Sequence, residues 1–205
     1  MPLLTRKSVP KDPDATKERI LDAALDVFSA KGYHDTRVDE IVEKSSTSKG
    51  SVYFHFPSKQ SIFLALVDQF ADMLERRVIE AIEYENAGID RVRAALTACL
   101  ETFGRYRRLA KILLVQAAGL GAIFEEKRQE VLNRFSALVQ IYLEEAVELG
   151  EIPALDAEVV SQAWAGAINA LVIRWVYTGT PEPDRILSTL LPLLLRGVGF
   201  EEKQP

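Results

Sequence analysis

The chain has 205 residues, of which 48% are hydrophobic and 27% charged, and its formal net charge at pH 7 is −5. This length can bury a sizeable core as one domain, or as a small domain attached to a larger one. A single cysteine, Cys99, excludes an intrachain disulfide, so we expect a cytoplasmic setting and a buried, unreactive thiol. We find no segment typical of an export signal or a membrane span, and we expect no membrane partner.

The charge is divided unevenly along the chain. Residues 1–60 carry 10 Lys and Arg against 9 Asp and Glu, whereas the remaining residues carry 15 against 21. The first eleven residues contain Arg6, Lys7 and Lys11 and no acid. A polyanion would therefore meet this protein at its N-terminal end.

The first predicted helix follows this basic arm. The stretch "DATKERILDAALDVFSAKGYH" has Asp14 as a plausible N-cap and Gly32 as a C′ residue. Between them, apolar residues recur at three-and-four spacing and form one broad face, with Ile20, Leu21, Ala24, Leu25, Val27 and Phe28. The pattern predicts an amphipathic helix with marked ends.

Two short helices are predicted next. In "TRVDEIVEKS", Thr36 and Asp39 have capping-box spacing, which indicates a helix of about nine residues. The following "SSTS" interrupts it, because successive Ser and Thr side chains compete for backbone hydrogen bonds. Ser48 then caps a third short helix, which Pro57 ends.

The rest of the chain is also predicted to be helical. Apolar residues keep a period of 3.6, and hairpin signals are absent. The predicted helices run from Ser58 to about Glu85 and then over about 89–104, 105–119, 126–149, 156–178 and 184–198. We therefore expect an all-α protein of about nine helices.

The first three helices form a helix-turn-helix, whose third helix presents its N-terminal side chains to the major groove of DNA. Hydroxyls and free N–H groups at a helix N-terminus bind phosphate well. Gly50 lets the backbone approach a phosphate or base edge closely, while Val52 and Phe56 are expected to point into the core.

These residues also carry a family resemblance. The stretch "TRVDEIVEKSSTSKGSVYFHFPSKQSIFLALV", preceded by "RILDAALDVFSAKGY", resembles the N-terminal DNA-binding region of TetR-family transcriptional regulators over about residues 15–67. The resemblance implies an all-helical homodimer in which two recognition helices read an operator. It further implies a C-terminal region that binds a small molecule and thereby weakens DNA binding.

The resemblance also implies roles for individual residues in DNA binding. Phosphate contacts are implied for Thr36, Ser51, Tyr53 and Lys59. The residues implied to line the groove are Thr47, Ser48, Lys49, Gly50 and His55. The cations expected at phosphates are Lys49, Lys59, Arg37 and those of the basic arm.

The turn departs from the family pattern. Where family members often have Ala-Gly-apolar before "SKG", this chain has Ser45, Ser46 and Thr47. If the turn keeps a left-handed residue at Ser46, the serine there costs about 1 kcal/mol relative to glycine.

We divide the chain into a flexible basic arm (1–13), a helix-turn-helix DNA-binding domain (14–60) and a helical ligand-binding and dimerisation domain (61–205). In the last of these, "AEVVSQAWAGAINALVIRWVYTG" is apolar nearly all round, so it must be covered on both sides. We expect one side to join the final helix in a four-helix seam with a twofold mate, and the resemblance puts the family's dimer interface at the same two helices. The expected interface residues are Ala163, Ala167, Leu171, Leu187, Leu190, Leu191 and Leu194. The alternative is a monomer with a larger internal core.

A ligand cavity is expected among helices four to eight. Its candidate lining combines aromatic rings with a few polar groups, namely Phe103, Tyr106, Gln116, Phe135, Tyr142, Trp164 and Asn169. Gln116 and Asn169 interrupt apolar stretches and need hydrogen-bond partners if they are buried. The basic cluster "GRYRRLAK" could meet an anionic group on a ligand, and some family members sense acyl thioesters of coenzyme A.

Other functional classes lack support. The Glu-x-x-His spacing of helical metal sites is missing, as are a Walker-type phosphate loop and a nucleophile elbow. We therefore expect no catalytic residues, no metal and no cofactor, with an all-α enzyme as one alternative. A helical adaptor for protein partners is the other, and it leaves "TSKGSVY" unexplained. The sequence favours a repressor that binds a palindromic operator as a homodimer and is released by a small, largely apolar effector.

Overall fold

The computed structural model describes residues 13–86, 88–116 and 120–200, except for the side chains of Leu113 and Gln116. Within these ranges the protein is all-α and contains no strand, as the sequence predicts. The helices are α1 (Pro13–Lys31), α2 (Val38–Ser45), α3 (Lys49–His55), α4 (Lys59–Ile82), α5 (Gly88–Arg105), α6 (Arg107–Lys111), α7 (Ala122–Glu148), α8 (Ala157–Thr178) and α9 (Pro183–Gly197). Residues 1–12 of the predicted basic arm (1–13) lie outside the described residues, and Pro13 begins α1.

Local signals place most helix ends within a few residues of the observed ones. Gly32 follows α1 with φ of +85°, and Gly179 follows α8 with φ of +78°, both as left-handed C′ residues. Ser48 is the N-cap of α3, and its hydroxyl accepts a hydrogen bond from Ser51 N at 3.1 Å. Asp156 caps α8 in the same way, accepting from Val159 N.

Two local predictions need correction. The N-cap of α2 is Arg37, whereas the sequence pattern indicates Thr36. Glu40 is the third residue of the helix, and its carboxylate accepts the Arg37 N–H at 3.0 Å. The helix predicted over 105–119 begins at Arg107, after the backbone of Tyr106 leaves the helical region (φ −113°, ψ 42°), and it is α-helical only to Lys111. A π-helical turn, Ile112–Gln116, follows α6.

The chain divides between Leu66 and Val67 into two compact units. In the first unit, α1, α2, α3 and the beginning of α4 surround a core in which Phe28 meets Phe63 edge to face, with 5.3 Å between ring centroids. Ile41 from α2 and Val52 from α3 are fully buried. The helix-turn-helix is thereby packed around a buried apolar core.

In the second unit, α7 packs against α5 and α8, and α5 packs against α9. The interior is apolar, with Val139, Leu143 and Val172 fully buried. Ion pairs lie around it: the Arg91 guanidinium contacts Glu145 at 2.9 Å and Lys127 contacts Asp68 at 2.6 Å.

The turn between α2 and α3 keeps the left-handed conformation. Ser46 has φ of 51° and ψ of 39°, and its N–H bonds the carbonyl of Glu43. Among the described residues it is the one non-glycine residue with positive φ. The Cβ of an L-residue is strained in this conformation.

We expect Ser46→Gly to raise the free energy of unfolding by about 1 kcal/mol, because glycine adopts positive φ without steric strain. Urea denaturation measures the change. The matched control is Gly32→Ser, which places a Cβ at a second left-handed position and should lower stability by a similar amount. Equal stability of Ser46→Gly and the wild-type protein would show that the turn is unstrained.

Candidate nucleic-acid interface and internal pocket

The N-terminal end of α3 presents polar groups at the surface. Ser48, Lys49 and Gly50 are exposed, and Ser51 is partly exposed. Thr47 is half-buried, and its hydroxyl lies 2.7 Å from that of Ser45, which donates to the carbonyl of Val42. Two of the three residues that depart from the family pattern, Ser45 and Thr47, therefore stabilise the turn through their side chains.

Lys49 begins α3 and forms an ion pair with α2. Its ammonium lies 2.7 Å from the carboxylate of Asp39, and both side chains are mostly exposed, at 59% and 69%. The hydrogen bond to Asp39 and the attraction of its charge raise the pKa of Lys49. An acidic partner for this lysine is a feature that sequence reasoning missed, because the two residues lie on different helices.

The aromatic residues of α3 divide between core and surface. Val52 and Phe56 are buried, as expected, while Tyr53 is 44% exposed and Phe54 is 82% exposed. His55 is half-buried and meets the Phe54 ring edge to face. Phe54 was not among the predicted contacts, and its exposure follows from the rotation of α3, which buries Val52 and Phe56 instead.

Two residues assigned to phosphate are engaged within the first unit. Thr36 is buried, and its hydroxyl donates to the carbonyl of Gly32 at 2.7 Å. The ammonium of Lys59 donates to three main-chain carbonyls, those of Tyr33 at 2.7 Å, His34 at 3.1 Å and Thr36 at 2.9 Å. It also lies 4.5 Å from the centre of the Tyr33 ring. An ammonium has three N–H donors, so all three are used.

The second unit encloses a small apolar pocket between α4, α5, α7 and α8. Its lining includes residues from each of these helices and from the π-helical turn, namely Leu74, Cys99, Phe103, Leu114, Val131, Leu132, Phe135, Ala165, Ile168 and Asn169. Its volume is about 20 Å³, enough for about one water molecule. In this conformation the pocket is too small for a larger ligand.

Asn169 contributes the polar group of this pocket. Among the described residues, its Oδ1 is the one buried side-chain nitrogen or oxygen without a hydrogen-bond partner. A water molecule would need two or more polar partners there, and the other lining side chains are apolar apart from the Cys99 thiol. Burial raises the pKa of that thiol, which keeps it protonated. The pocket therefore holds an unsatisfied acceptor on a largely apolar wall.

The remaining ligand candidates are placed elsewhere. Trp164 is buried outside this lining, Tyr142 lies beneath the guanidinium of Arg91 at 5.8 Å, and Tyr106 lines an open groove with Tyr84. The side chain of Gln116 is outside the described residues. The structure thus brings Phe103, Phe135 and Asn169 together in this pocket, which Tyr106, Tyr142 and Trp164 do not line.

The basic cluster 105–111 does not line the pocket either. The guanidinium of Arg107 donates to the carbonyls of Trp175 and Val176 and lies 5.0 Å from the Trp175 ring. Those carbonyls belong to the last turn of α8, where a positive charge complements the helix dipole. Arg107 therefore stabilises a helix end.

Comparison with known proteins agrees with this geometry. Residues 20–66 match the family model of bacterial regulatory proteins of the tetR family. Over 185 residues the chain is 27% identical to the uncharacterized HTH-type transcriptional regulator YdgC of Bacillus subtilis, covering 89% of this chain and 92% of that protein. The chain belongs to the TetR family of transcriptional regulators.

Two further similarities concern fatty acid regulators. The regulator is 24% identical to the fatty acid metabolism regulator protein of Bacillus subtilis, over 88% of this chain and 94% of that protein. The crystal structure of FadR from Bacillus subtilis in complex with stearoyl-CoA superposes with a TM-score of 0.79 at 22% identity, covering 88% of this chain and 98% of that one. The structural similarity to FadR shows that the two chains share a fold.

In the TetR-family regulator, α8 and α9 carry apolar residues on their outer faces. The seven residues predicted at a dimer interface are all at least partly exposed in the single chain, and Val159, Tyr177 and Leu193 are exposed near them.

Among the described helices, α8 alone is long and apolar enough to cross a membrane by length and composition, a test that core helices also pass. The described residues hold no cluster of three or more His, Cys, Asp or Glu positioned for a metal ion.

We expect Lys59→Met to lower the free energy of unfolding by about 2 kcal/mol, because it removes a charged donor from three carbonyls. Thermal or urea denaturation measures the change. Lys49→Met is the control: its ion pair is exposed, and the loss should stay below about 0.5 kcal/mol. If both variants lost equally little, Lys59 would not hold the α1–α2 connection.

Proposed function

We propose that this TetR-family regulator is a repressor that binds a palindromic operator as a homodimer, and that a small, largely apolar effector releases it. The observation that carries the proposal is the N-terminal end of α3, where hydroxyls, a lysine and an exposed glycine stand at the surface of a helix-turn-helix. These groups suit the major groove and its flanking phosphates. The protein would act by binding, without catalysis.

The domain boundaries belong to the same proposal. Residues 14–60 would bind DNA, with the basic arm 1–13 before them, and residues 61–205 would bind the effector and form the dimer. The match of residues 20–66 to the family model supports the first assignment.

Within the groove, Lys49 would contact base edges, with Thr47, Ser48, Gly50 and His55 around it. Lysine suits the acceptors of guanine. We add Phe54 to this set, since an exposed ring at this position can contact a thymine methyl group.

Around the groove, Ser51 and Tyr53 would contact phosphate. Thr36 and Lys59 would act there chiefly through the backbone they hold, because their donors are engaged. Arg37 and the basic arm would then supply most of the cationic contacts.

The dimer would form through α8 and α9, in a four-helix seam with the twofold mate. Ala163 on α8 is exposed and the predicted leucines of α9 are half-buried, which leaves apolar area for a second copy to cover. Two recognition helices about 34 Å apart would then enter successive major grooves.

The effector would occupy the apolar pocket. The small volume means that the lining must move apart to admit it, and Asn169 would supply an acceptor for a hydrogen-bond donor on the effector. FadR, with the same fold, was crystallised with stearoyl-CoA, which supports an effector with an acyl chain. In an acyl thioester of coenzyme A, the N–H groups of the pantetheine arm would be the donors.

The position of α4 provides the link to DNA. Leu74 of α4 lines the pocket, and α4 continues without interruption from Ile82 back to Lys59. An effector that displaces Leu74 would tilt α4, and the tilt would change the spacing of the two recognition helices. The coupling would therefore be mechanical, through one continuous helix.

Selection of binding sites from random double-stranded DNA tests the proposed function. We expect the wild-type protein to enrich a palindrome and Lys49→Ala and Tyr53→Phe to weaken that enrichment by about tenfold, since each loses a contact worth about 1–3 kcal/mol. Failure of the wild-type protein to enrich any sequence at low salt, after removal of co-purified ligand, would refute it.

The salt dependence of operator affinity tests the phosphate contacts. With about three cations per subunit, the slope of log affinity against log salt concentration should be roughly −5 for the dimer. A slope near zero on the selected operator would exclude the assignment of Arg37 and the basic arm to phosphate.

We expect Asn169→Leu to raise the free energy of unfolding by about 1–2 kcal/mol, because it removes an unsatisfied buried acceptor. Asn133→Leu, on the exposed side of α7, is the control and should change it by less than about 0.5 kcal/mol. The same Asn169→Leu variant should lose release from operator DNA by stearoyl-CoA, if that compound releases the wild-type protein. Lower stability of Asn169→Leu would show that the amide is satisfied.

A further inference from the structure

The ion pair between Asp39 and Lys49 lies at the N-terminal end of the proposed recognition helix. Asp39 lies in the first turn of α2, Lys49 is the first residue of α3, and their charged atoms are 2.7 Å apart. Lys49 is the one Lys or Arg of α3. A carboxylate therefore stands at the end of the helix that the proposed function directs toward a polyanion.

A phosphate contact from lysine gains affinity by releasing counterions, and the gain is the same on every DNA sequence. A lysine paired with a carboxylate brings no net charge to the phosphates. To contact one, Lys49 would have to leave Asp39, and a solvated carboxylate would remain beside the DNA backbone, where like charges repel. On a duplex of arbitrary sequence, the pair therefore suppresses the contribution of Lys49.

In the operator complex that the proposed function implies, the situation would differ. The close fit of α3 in the groove would place Lys49 against base edges, where lysine is selective for the acceptors of guanine. An ammonium has three donors, so one can stay with Asp39 while another bonds a base. The ion pair is compatible with base readout and opposes indiscriminate phosphate binding.

We propose that Asp39 is a specificity-determining residue: it holds Lys49 for base readout and withholds it from sequence-independent contact with phosphate. The proposal rests on the proposed function of α3 as a recognition helix. In this proposal Asp39 raises the ratio of operator affinity to general DNA affinity. This ratio decides how far the operator is occupied in a genome.

The test compares Asp39→Asn with the wild-type protein on two duplexes of equal length, the selected operator and a scrambled sequence. Affinity is measured from about 50 to about 200 mM salt. On the scrambled duplex, Asp39→Asn should bind at least about tenfold more tightly at about 0.1 M salt, and its slope should be more negative by about 2 for the dimer, because one lysine per subunit is released. Operator affinity should change by less than about threefold, so the specificity ratio falls.

A second ion pair supplies the control for charge. Lys44 and Asp26 lie 3.0 Å apart, are about half exposed and join α2 to α1. Asp26→Asn changes the net charge by the same amount but leaves α3 untouched, and its slope on scrambled DNA should match that of the wild-type protein. If Asp26→Asn had the same effect as Asp39→Asn, general charge would explain the result and the proposal would fail.

A double-mutant cycle identifies Lys49 as the released group. Lys49→Ala added to Asp39→Asn should return the slope on scrambled DNA to the wild-type value, because both charges of the pair are then removed. Lys49→Ala alone should bind scrambled DNA no more tightly than the wild-type protein, because the Asp39 carboxylate is then left unpaired. A wild-type slope for Asp39→Asn itself would overturn the proposal even with a functional operator. Absence of any operator for the wild-type protein would refute the proposed function instead, so the two failures are distinguishable. Thermal midpoints of all variants show that each is folded.

Discussion

The ammonium of Lys59 is the interaction on which the DNA-binding unit depends. It joins the first turn of α4 to the carbonyls of the α1–α2 connection and stacks on the ring of Tyr33. These carbonyls lie between the helices, and a charged donor satisfies them more strongly than a neutral one. Because α2 begins directly after this connection, Lys59 holds the helix-turn-helix against the first turn of α4.

The polar groups around the proposed recognition helix are engaged before DNA arrives. Ser48 caps α3, Thr47 bonds Ser45, and Lys49 is held by Asp39. Pre-formed contacts of this kind reduce the conformational entropy lost on binding. Ser46 adds local backbone strain at the same turn, in keeping with the tendency of strain to gather at functional sites. The surface around the N-terminal end of α3 is therefore ordered chiefly by hydrogen bonds and an ion pair of its own side chains.

The pocket proposed for the effector has a different character, since it is largely apolar and small. It can admit a larger molecule only if the helices that line it move, and α4 is one of them. Ion pairs from α7 hold α4 on its outer side: Arg134 contacts Asp72 at 3.1 Å and also Glu75. A bound effector that moved α4 would have to weaken these ion pairs, so they oppose the proposed release.

The sequence by itself determined the helical class, most helix ends and the helix-turn-helix. These follow from residues three or four apart and from caps such as Ser48, Gly32 and Asp156, whose effects are local. The left-handed turn at Ser46 could also be anticipated, because the family pattern has glycine there.

Only the tertiary structure decided which side chains meet. Lys59 reaches carbonyls more than twenty residues away, Asp39 meets Lys49 across two helices, and Asn169 joins Phe103 and Phe135 in one pocket while Tyr142 and Trp164 do not. Helical periodicity shows which face of a helix is apolar but not the rotation and height at which it packs against a neighbour. Those two quantities set every contact between helices, and they arise from the packing of the whole unit.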